Sequence, residues 1–203
     1  MPGIRGRLRC IQSYSDELGL NLRKPSDRFK WFVASFLFAK RISSETAKRT
    51  FRRFVEEGLV TPRAISDAGW DRLVHVLDSG GYVRYDFSTA TNLLATCQLL
   101  LDKYGTLEQL HDGARSPREL ENLLMEFKGV GPMAVNIFLR ELRGIWDKAR
   151  PKPSRVAIDV GRRLGVKRTE EFESQLVRIG LEFCKKRKCE TCPVNQDCIR
   201  RAR

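Results

Sequence analysis

The stretch that decides the fold is Phe127-Lys128-Gly129-Val130-Gly131-Pro132-Met133-Ala134-Val135-Asn136, which lies between two segments of helical periodicity. Glycine permits positive φ and close approach of another backbone, so the Gly-Val-Gly corner predicts a tight turn between two helices. Proline suits the first turn of the second helix, where free N–H groups and the helix dipole attract anions. The stretch predicts a hairpin that binds phosphate, although an ordinary turn between helices also fits it.

The segments around this corner are helical in pattern, and no segment alternates in the manner of a β-strand. Apolar residues recur at helical spacing from Ser26 onward, and Ser43 or Ser44 is a candidate cap for the next helix. Ser116-Pro117-Arg118-Glu119 combines a cap, a first-turn proline and a capping-box glutamate directly before the hairpin. The predicted fold class is all-α.

Charge gives the first indication of a partner. The 203 residues include 38 Lys and Arg against 25 Asp and Glu, a formal charge of +13. Such a surplus concentrates polyanions around a protein, so nucleic acid is the leading candidate. The longest nearly apolar run, Trp31 to Ala39, is too short to span a bilayer, and no signal peptide is evident. We therefore expect a cytoplasmic or nuclear protein that is not secreted and has no membrane partner.

Four of the six cysteines crowd together near the C-terminus, with the spacing Cys-x4-Cys-x2-Cys-x5-Cys from Cys184 to Cys198. Four thiolates in a compact loop suit a cubane iron-sulfur cluster, and they also suit tetrahedral zinc. Disulfides are not expected in an intracellular protein. The first gap is entirely basic, so this loop is also a candidate phosphate contact; its residues are Lys185, Lys186, Arg187 and Lys188.

The hairpin stretch, the later Val156-Ala157-Ile158-Asp159 and the cysteine cluster together resemble the endonuclease III-like helix-hairpin-helix (HhH-GPD) DNA glycosylases, over most of the chain. The resemblance implies a two-lobed helical fold, with a six-helix core lobe at 26–135 that ends in the hairpin. Residues 1–25 and 136–203 would form the cluster lobe. The implied cofactor is a [4Fe-4S] cluster, with zinc as the less favoured alternative, and its ligands would be Cys184, Cys189, Cys192 and Cys198. The family usually has six residues in the first gap of this cluster, whereas this chain has four.

The resemblance also implies a reaction. Asp159 aligns with the family's catalytic aspartate, a buried acid that would stabilise positive charge on the deoxyribose of a flipped nucleotide and activate water. A competing interpretation is that Asp159 only caps a short helix at 160–164. Bifunctional members place a lysine two residues after the second hairpin glycine, where its amine forms a Schiff base. Met133 stands there instead, as a pocket residue or as core filler, and a thioether cannot form an imine.

We therefore expect a monomeric, monofunctional glycosylase of base excision repair, which acts on double-stranded DNA with a damaged or mispaired base and has weak or absent AP-lyase activity. The alternative is a catalytically weak or inactive damaged-DNA-binding protein on the same scaffold. Lys40 stands where the family often has a gap-filling glutamine, and Tyr82 stands at the position of a wedge residue that inserts between bases. A basic loop at 148–155 lengthens the interval between hairpin and aspartate. The expected DNA contacts are Lys40, Tyr82, Lys128, Gly129, Val130, Gly131 and the residues Lys185 to Lys188.

Overall fold

The computed structural model describes residues 3–199. Regular structure in this range is helical, and its β-type pairing is limited to an isolated bridge between Arg143 and Trp146. This confirms the predicted all-α class. None of the helices in the described range is both long and apolar enough to cross a membrane. The α-helices are α1 (Ile4–Arg9), α2 (Tyr14–Glu17), α3 (Pro25–Phe38), α4 (Ser44–Glu56), α5 (Pro62–Ser79), α6 (Asp86–Leu99), α7 (Leu107–Gly113), α8 (Pro117–Met125), α9 (Pro132–Arg140), α10 (Arg155–Arg163) and α11 (Glu173–Ile179).

The chain divides into two compact units. The central unit is Leu20–Pro151, and the terminal unit combines the residues up to Gly19 with those from Lys152 onward. The joining of the two chain ends was predicted, but the predicted boundaries at 25/26 and 135/136 are wrong. The helix after the hairpin corner and the segment that follows it belong to the central unit, because their aromatic side chains pack into its core.

Local signals set several helix starts as the sequence predicts. The Ser43 hydroxyl accepts the Thr46 N–H at 3.0 Å and so caps α4, and Ser116 accepts the Glu119 N–H at 3.2 Å to cap α8. A cap of this kind contributes about 1 kcal/mol to helix stability. Three further helices, α1, α2 and α7, were not predicted.

Two helical segments are interrupted. Gly69 has φ 75° and ψ 173° inside α5, so this element is two helices across a kink. Helix α6 continues into a π-helical turn at Leu100–Tyr104. A similar π turn, Gly180–Cys184, carries the end of α11 into the cysteine cluster.

Aromatic packing holds both arms of the hairpin against α3. The ring of Phe32 meets Phe127 before the corner at 5.6 Å between centroids and Phe138 after it at 5.2 Å, both edge to face. The Trp31 indole N–H donates to the Phe138 carbonyl at 3.2 Å. Such pairs add about 0.5–1.5 kcal/mol each beyond the area that they bury. The corner is therefore fixed by core contacts on both sides.

In the terminal unit the first helix packs onto the last ones. Leu8 lies in an apolar cluster with Val160, Leu176 and Ile179. Polar contacts join the same segments: Arg7 Nε donates to Asp197 Oδ2 at 2.8 Å, and the Tyr14 hydroxyl donates to Glu182 at 2.9 Å. These contacts make one unit of two distant parts of the sequence.

Candidate nucleic-acid and cluster sites

The Gly-Val-Gly corner is a tight turn, as predicted. Gly129 adopts φ +81°, and the Val130 N–H donates to the Phe127 carbonyl at 3.0 Å. Gly131 has extended backbone and precedes α9, where its carbonyl accepts the Val135 N–H at 3.1 Å. Positive φ favours glycine at position 129. The backbone at position 131 is extended and does not require glycine.

Helix α6 supports the corner from behind. A Cβ placed on Gly129 would lie 2.5 Å from the Asn92 amide nitrogen, and the Thr96 hydroxyl donates to the Lys128 carbonyl at 3.3 Å. Neither Asn92 nor Thr96 was predicted as part of the site. Asn92 and Thr96 are one helical turn apart, so the sequence indicates that they share a face of α6. It does not indicate that this face packs against the hairpin.

The outer side of the corner is open to solvent. Lys128 and Gly129 are exposed, and within residues 3–199 no side chain caps the start of α9. Within the described chain, the first turn of α9 therefore has N–H groups without a side-chain cap at the positive end of the helix dipole, as an anion site requires. Val130 is different: its side chain is buried and its N–H is used inside the turn. The predicted DNA contact of Val130 is corrected accordingly, since the residue shapes the corner from within.

Met133 lies in the first turn of α9 and is 60% exposed. That exposure rules out the interpretation of Met133 as core filler. The thioether of Met133 is therefore accessible from solvent.

The predicted wedge role of Tyr82 is wrong. Tyr82 is 1% exposed, and its hydroxyl donates to the Leu37 carbonyl at 3.0 Å, so the ring is core. Burial raises the pKa of this phenol. The next residue, Val83, is 64% exposed, and Arg84 after it is exposed as well. That this loop contacts DNA stays a prediction.

Lys40 follows the end of α3 and is half-buried. Its ammonium group lies 5.9 Å from the centroid of the Phe36 ring, which favours a cation–π contact. The predicted contact of Lys40 with DNA stays a prediction.

Asp159 belongs to the terminal unit and lies in the middle of α10. The cap of that helix is Ser154, whose hydroxyl accepts the Ala157 N–H at 3.4 Å, so the competing interpretation of Asp159 as a cap is wrong. The Asp159 side chain is 57% exposed and lies 3.7 Å from the Arg162 guanidinium. The expected burial of this acid is therefore also wrong. A solvated pair of this kind contributes at most about 1 kcal/mol.

The four C-terminal cysteines come together in the terminal unit. All of them line one cavity, which is otherwise formed mainly by apolar residues and by Arg163 of α10. Burial raises the pKa of the Cys184 thiol, the positive charge of Arg163 acts against this, and the neighbouring Cys198 and Cys189 add to the rise. Burial raises the pKa of Cys192 in the same way. The cavity thus gathers four sulfur donors beside the Arg163 side chain.

This donor set fits the predicted cluster chemically, because thiolates are the ligands of iron-sulfur centres and the half-buried Arg163 offsets part of their charge. Among residues 3–199 no group of three or more His, Cys, Asp or Glu side chains is placed closely enough to hold one metal ion. The structure therefore shows a shared cavity of four thiols, and metal coordination stays a prediction.

The basic loop between the first two cysteines is exposed, as a phosphate contact requires. Arg187 has φ 55°, and its N–H donates to the Cys184 carbonyl at 3.2 Å. Lys186 pairs with Glu182 at 2.6 Å. The loop is thus a folded turn that presents its cations to solvent.

Comparison with known proteins supports the fold. No protein-family model and no curated protein matches this sequence. A solved structure described as a trapped endonuclease III–DNA covalent intermediate, in an estranged-adenine complex, is similar, with a TM-score of 0.55 and 20% sequence identity. The alignment covers 99% of this chain and 97% of that chain. The chain therefore has an all-helical fold like that of endonuclease III.

Proposed function

We propose that this protein is a monofunctional DNA glycosylase, which hydrolyses the N-glycosidic bond of a damaged or mispaired base in double-stranded DNA. The observation that carries the proposal is the hairpin corner, an exposed and uncapped helix start with a thioether at position 133. The charge of +13 and the similarity of the fold to endonuclease III support it.

DNA binding is assigned first to the corner. The N–H groups at the start of α9 would bind a backbone phosphate, with Lys128 beside them. Val83 replaces Tyr82 as the residue proposed to enter the base stack, since it is the exposed one of the two. The cations of the Lys185–Lys188 loop would bind further phosphates in a manner that does not depend on sequence.

The chemical step is assigned to Asp159. As the bond between C1′ and the base nitrogen breaks, the base leaves with the bonding electron pair, and positive charge develops on the sugar. A carboxylate at this point stabilises that charge and accepts a proton from the attacking water, whose oxygen forms the new bond to C1′. The departing base takes up a proton, which balances the one lost by water, so the products are the free base and an abasic site. Ser154 fixes the position of Asp159 indirectly, through the cap of α10.

Met133 decides the reaction class. Strand cleavage through a Schiff base needs a neutral amine that attacks C1′, and a thioether supplies none. Lys128 is on the opposite side of the corner in sequence, and its proposed partner is phosphate. The proposal therefore predicts an intact strand after base release.

The four cysteines are proposed to hold a [4Fe-4S] cluster, which when bound would cross-link the end of the chain and need not react. Arg163 links this site to α10, because its side chain lines the same cavity as the four cysteines and its carbonyl accepts the Ile199 N–H at 3.1 Å. Asp159 stands one turn earlier on the same helix. The cluster is thus assigned the task of bracing the helix that carries the catalytic acid.

A panel of duplexes, each with one damaged or mispaired base, tests the proposal. Products are resolved with and without alkali, which cleaves abasic sites. We expect cleavage only after alkali, its loss in Asp159→Asn, and no loss in Glu170→Gln, a matched change at an exposed acid of the same unit. Strand scission by the wild type without alkali would contradict the monofunctional assignment.

A second candidate is favoured by one observation. Asp159 is more than half exposed, whereas a catalytic acid is often held in a dry site. This favours a protein that binds damaged DNA without excision. The same panel separates the two, because binding with no product on any duplex, before or after alkali, supports the binding protein.

A further inference from the structure

The segment Arg143–Pro151 follows the hairpin helix and surrounds a cavity of about 350 Å³. Arg143, Trp146, Asp147 and Arg150 contribute to its wall. This space is large enough for a group of several heavy atoms. None of the functional assignments above uses this cavity.

The loop is closed by its own hydrogen bonds. Arg143 Nη2 donates to the Pro151 carbonyl at 2.5 Å, which joins the two ends, and Arg143 pairs with Trp146 as the isolated β-bridge. Arg150 Nε donates to the Asp147 carbonyl at 3.0 Å. Backbone carbonyls of the loop therefore orient the guanidinium groups of Arg143 and Arg150.

His111 of α7 anchors the loop to the rest of the central unit. Its ring stacks on Trp146 with 4.7 Å between centroids, and its Nε2 lies 2.8 Å from Asp147 Oδ1. The His111 carbonyl also accepts the Lys148 ammonium at 3.0 Å. Three consecutive loop residues thus contact one histidine, and this holds the loop in a single shape.

The Arg143–Pro151 loop has an excess of positive charge that could bind an anion. Its one acidic residue, Asp147, is engaged by His111, whereas the loop contains three basic residues. Arg150 is exposed, and the described chain provides no hydrogen-bond partner for its two terminal nitrogens. An oriented guanidinium fork is the side chain best suited to a phosphate oxygen pair.

We propose that the Arg143–Pro151 loop is a preformed site for a backbone phosphate of nucleic acid, with Arg150 and Arg143 as its ligands and His111 as the positioning residue. The inference rests on the DNA-binding part of the proposed function and adds a contact outside the hairpin and the cysteine loop. Nucleic acid is favoured over a free anion because the cavity is open at the surface of a protein with a large positive charge.

Binding of a short undamaged duplex, measured by fluorescence anisotropy over a range of salt concentrations, tests the proposal. Arg150→Gln is expected to weaken binding several-fold at low salt and to lower the slope of log K against log salt by about 0.9, the value for one phosphate contact. The double change of Arg143 and Arg150 to Gln is expected to lower it further. Arg63→Gln is the control, since it removes the same charge from an exposed site of the central unit and should leave the slope unchanged.

The positioning role of His111 has its own readout. His111→Gln is expected to lower the salt slope as Arg150→Gln does, and the two changes combined should cost no more than either alone. Additive losses would overturn that role. Thermal unfolding of Arg150→Gln, an exposed change, identifies any effect that comes only from lost folding.

Arginine Nε–H resonances distinguish the sources of phosphate. We expect the Arg150 signal to shift with duplex at concentrations where inorganic phosphate or a nucleoside monophosphate has no effect. A shift with inorganic phosphate alone would make this a small-anion site and overturn the assignment to nucleic acid. An unchanged salt slope in Arg150→Gln, together with normal base release, would refute the loop site and leave the enzyme intact. A lowered slope without base release on any duplex would refute the enzyme and leave the loop site standing.

Discussion

Glu173 accepts a hydrogen bond from the backbone N–H of Ser154, with 2.8 Å between Oε1 and N, and the glutamate is 2% exposed. Ser154 is the cap of α10, so a buried acid at the start of α11 determines where the helix of Asp159 begins. This contact joins residues 19 positions apart, and it is a reason why Asp159 lies within a helix and not at its start.

Removal of that acid should loosen α10. Glu173→Ala leaves the half-buried Ser154 N–H without its acceptor, which costs about 1 kcal/mol or more in the free energy of unfolding. Glu170→Ala serves as control, because the exposed contact of Glu170 with Arg168 at 3.6 Å contributes at most about 1 kcal/mol. Urea unfolding of both variants measures the difference, and equal effects would contradict the anchoring role.

The two hairpin glycines should respond differently to alanine. Gly129→Ala combines positive φ, which costs an L-residue about 1–2 kcal/mol, with a clash against Asn92. A methyl group on Gly131 would meet no heavy atom within 4 Å, so Gly131→Ala should change stability by no more than about 0.5 kcal/mol. Urea unfolding of the two variants measures the contrast, and equal losses of stability would contradict it.

Gly131→Ala should weaken binding to duplex DNA, although it should leave the stability of the protein nearly unchanged. A methyl group there stands in open space beside the first turn of α9, where the proposal places a phosphate, and several-fold weaker binding is expected at unchanged stability. Anisotropy titrations of folded Gly131→Ala measure this, and wild-type affinity would argue against a phosphate at the corner.

The buried tyrosine and its exposed neighbour form another matched pair. Tyr82→Phe removes the hydroxyl that donates to Leu37 and should cost about 1 kcal/mol of stability without any change in DNA affinity. Val83→Ala should do the opposite, with stability nearly unchanged and binding weakened. If Tyr82→Phe weakens DNA binding at full stability, the ring has a role beyond the core.

Features that depend on neighbouring residues could be predicted from sequence. Ser43, Ser116 and Pro132 mark helix starts through their own backbone and side chains, and Gly129 marks a turn through its φ. The hairpin and the grouping of the four cysteines follow from such short-range patterns. For the caps and the turn, the residues that determine the local structure lie within about one helical turn in sequence.

Features that depend on packing could not be predicted in this way. Nothing in the order Tyr82-Val83 shows which side chain is buried, since the outcome depends on the Leu37 carbonyl of another helix. The boundary at Pro151 depends on His111, far away in sequence, and the exposure of Asp159 depends on a helix start fixed by Glu173. In each case a distant partner overrides what the local sequence favours.

The contact between Asp147 and His111 should depend on pH. Burial opposes ionisation of Asp147, but the hydrogen bond with His111 and the charges of Lys148 and His111 outweigh it, so the pKa of this carboxyl lies below its ordinary value. A lowered acid pKa means that the contact stabilises the loop above the ordinary value of about 3.9 and that this contribution is lost as pH falls through the lowered pKa. Carboxyl resonances followed by NMR should give a midpoint below about 3.9 for Asp147 and a higher one in His111→Gln. An identical midpoint in both proteins would show that His111 does not hold this carboxylate.

Thiol chemistry should separate the cysteines by environment. Cys97 is buried, and burial raises its pKa to about 12, so at a pH of about 8 almost none of it is the reactive thiolate. Cys10 is exposed and should react with a disulfide reagent at once, and its change to Ser identifies that signal. In protein with the proposed cluster, the reagent should not react with Cys184, Cys189, Cys192 and Cys198. Removal of iron by a chelator should make these four thiols reactive. Cys97 should react only after the protein is unfolded. Full reactivity of all four before chelation, in protein that contains iron and sulfide, would place the cluster on other ligands.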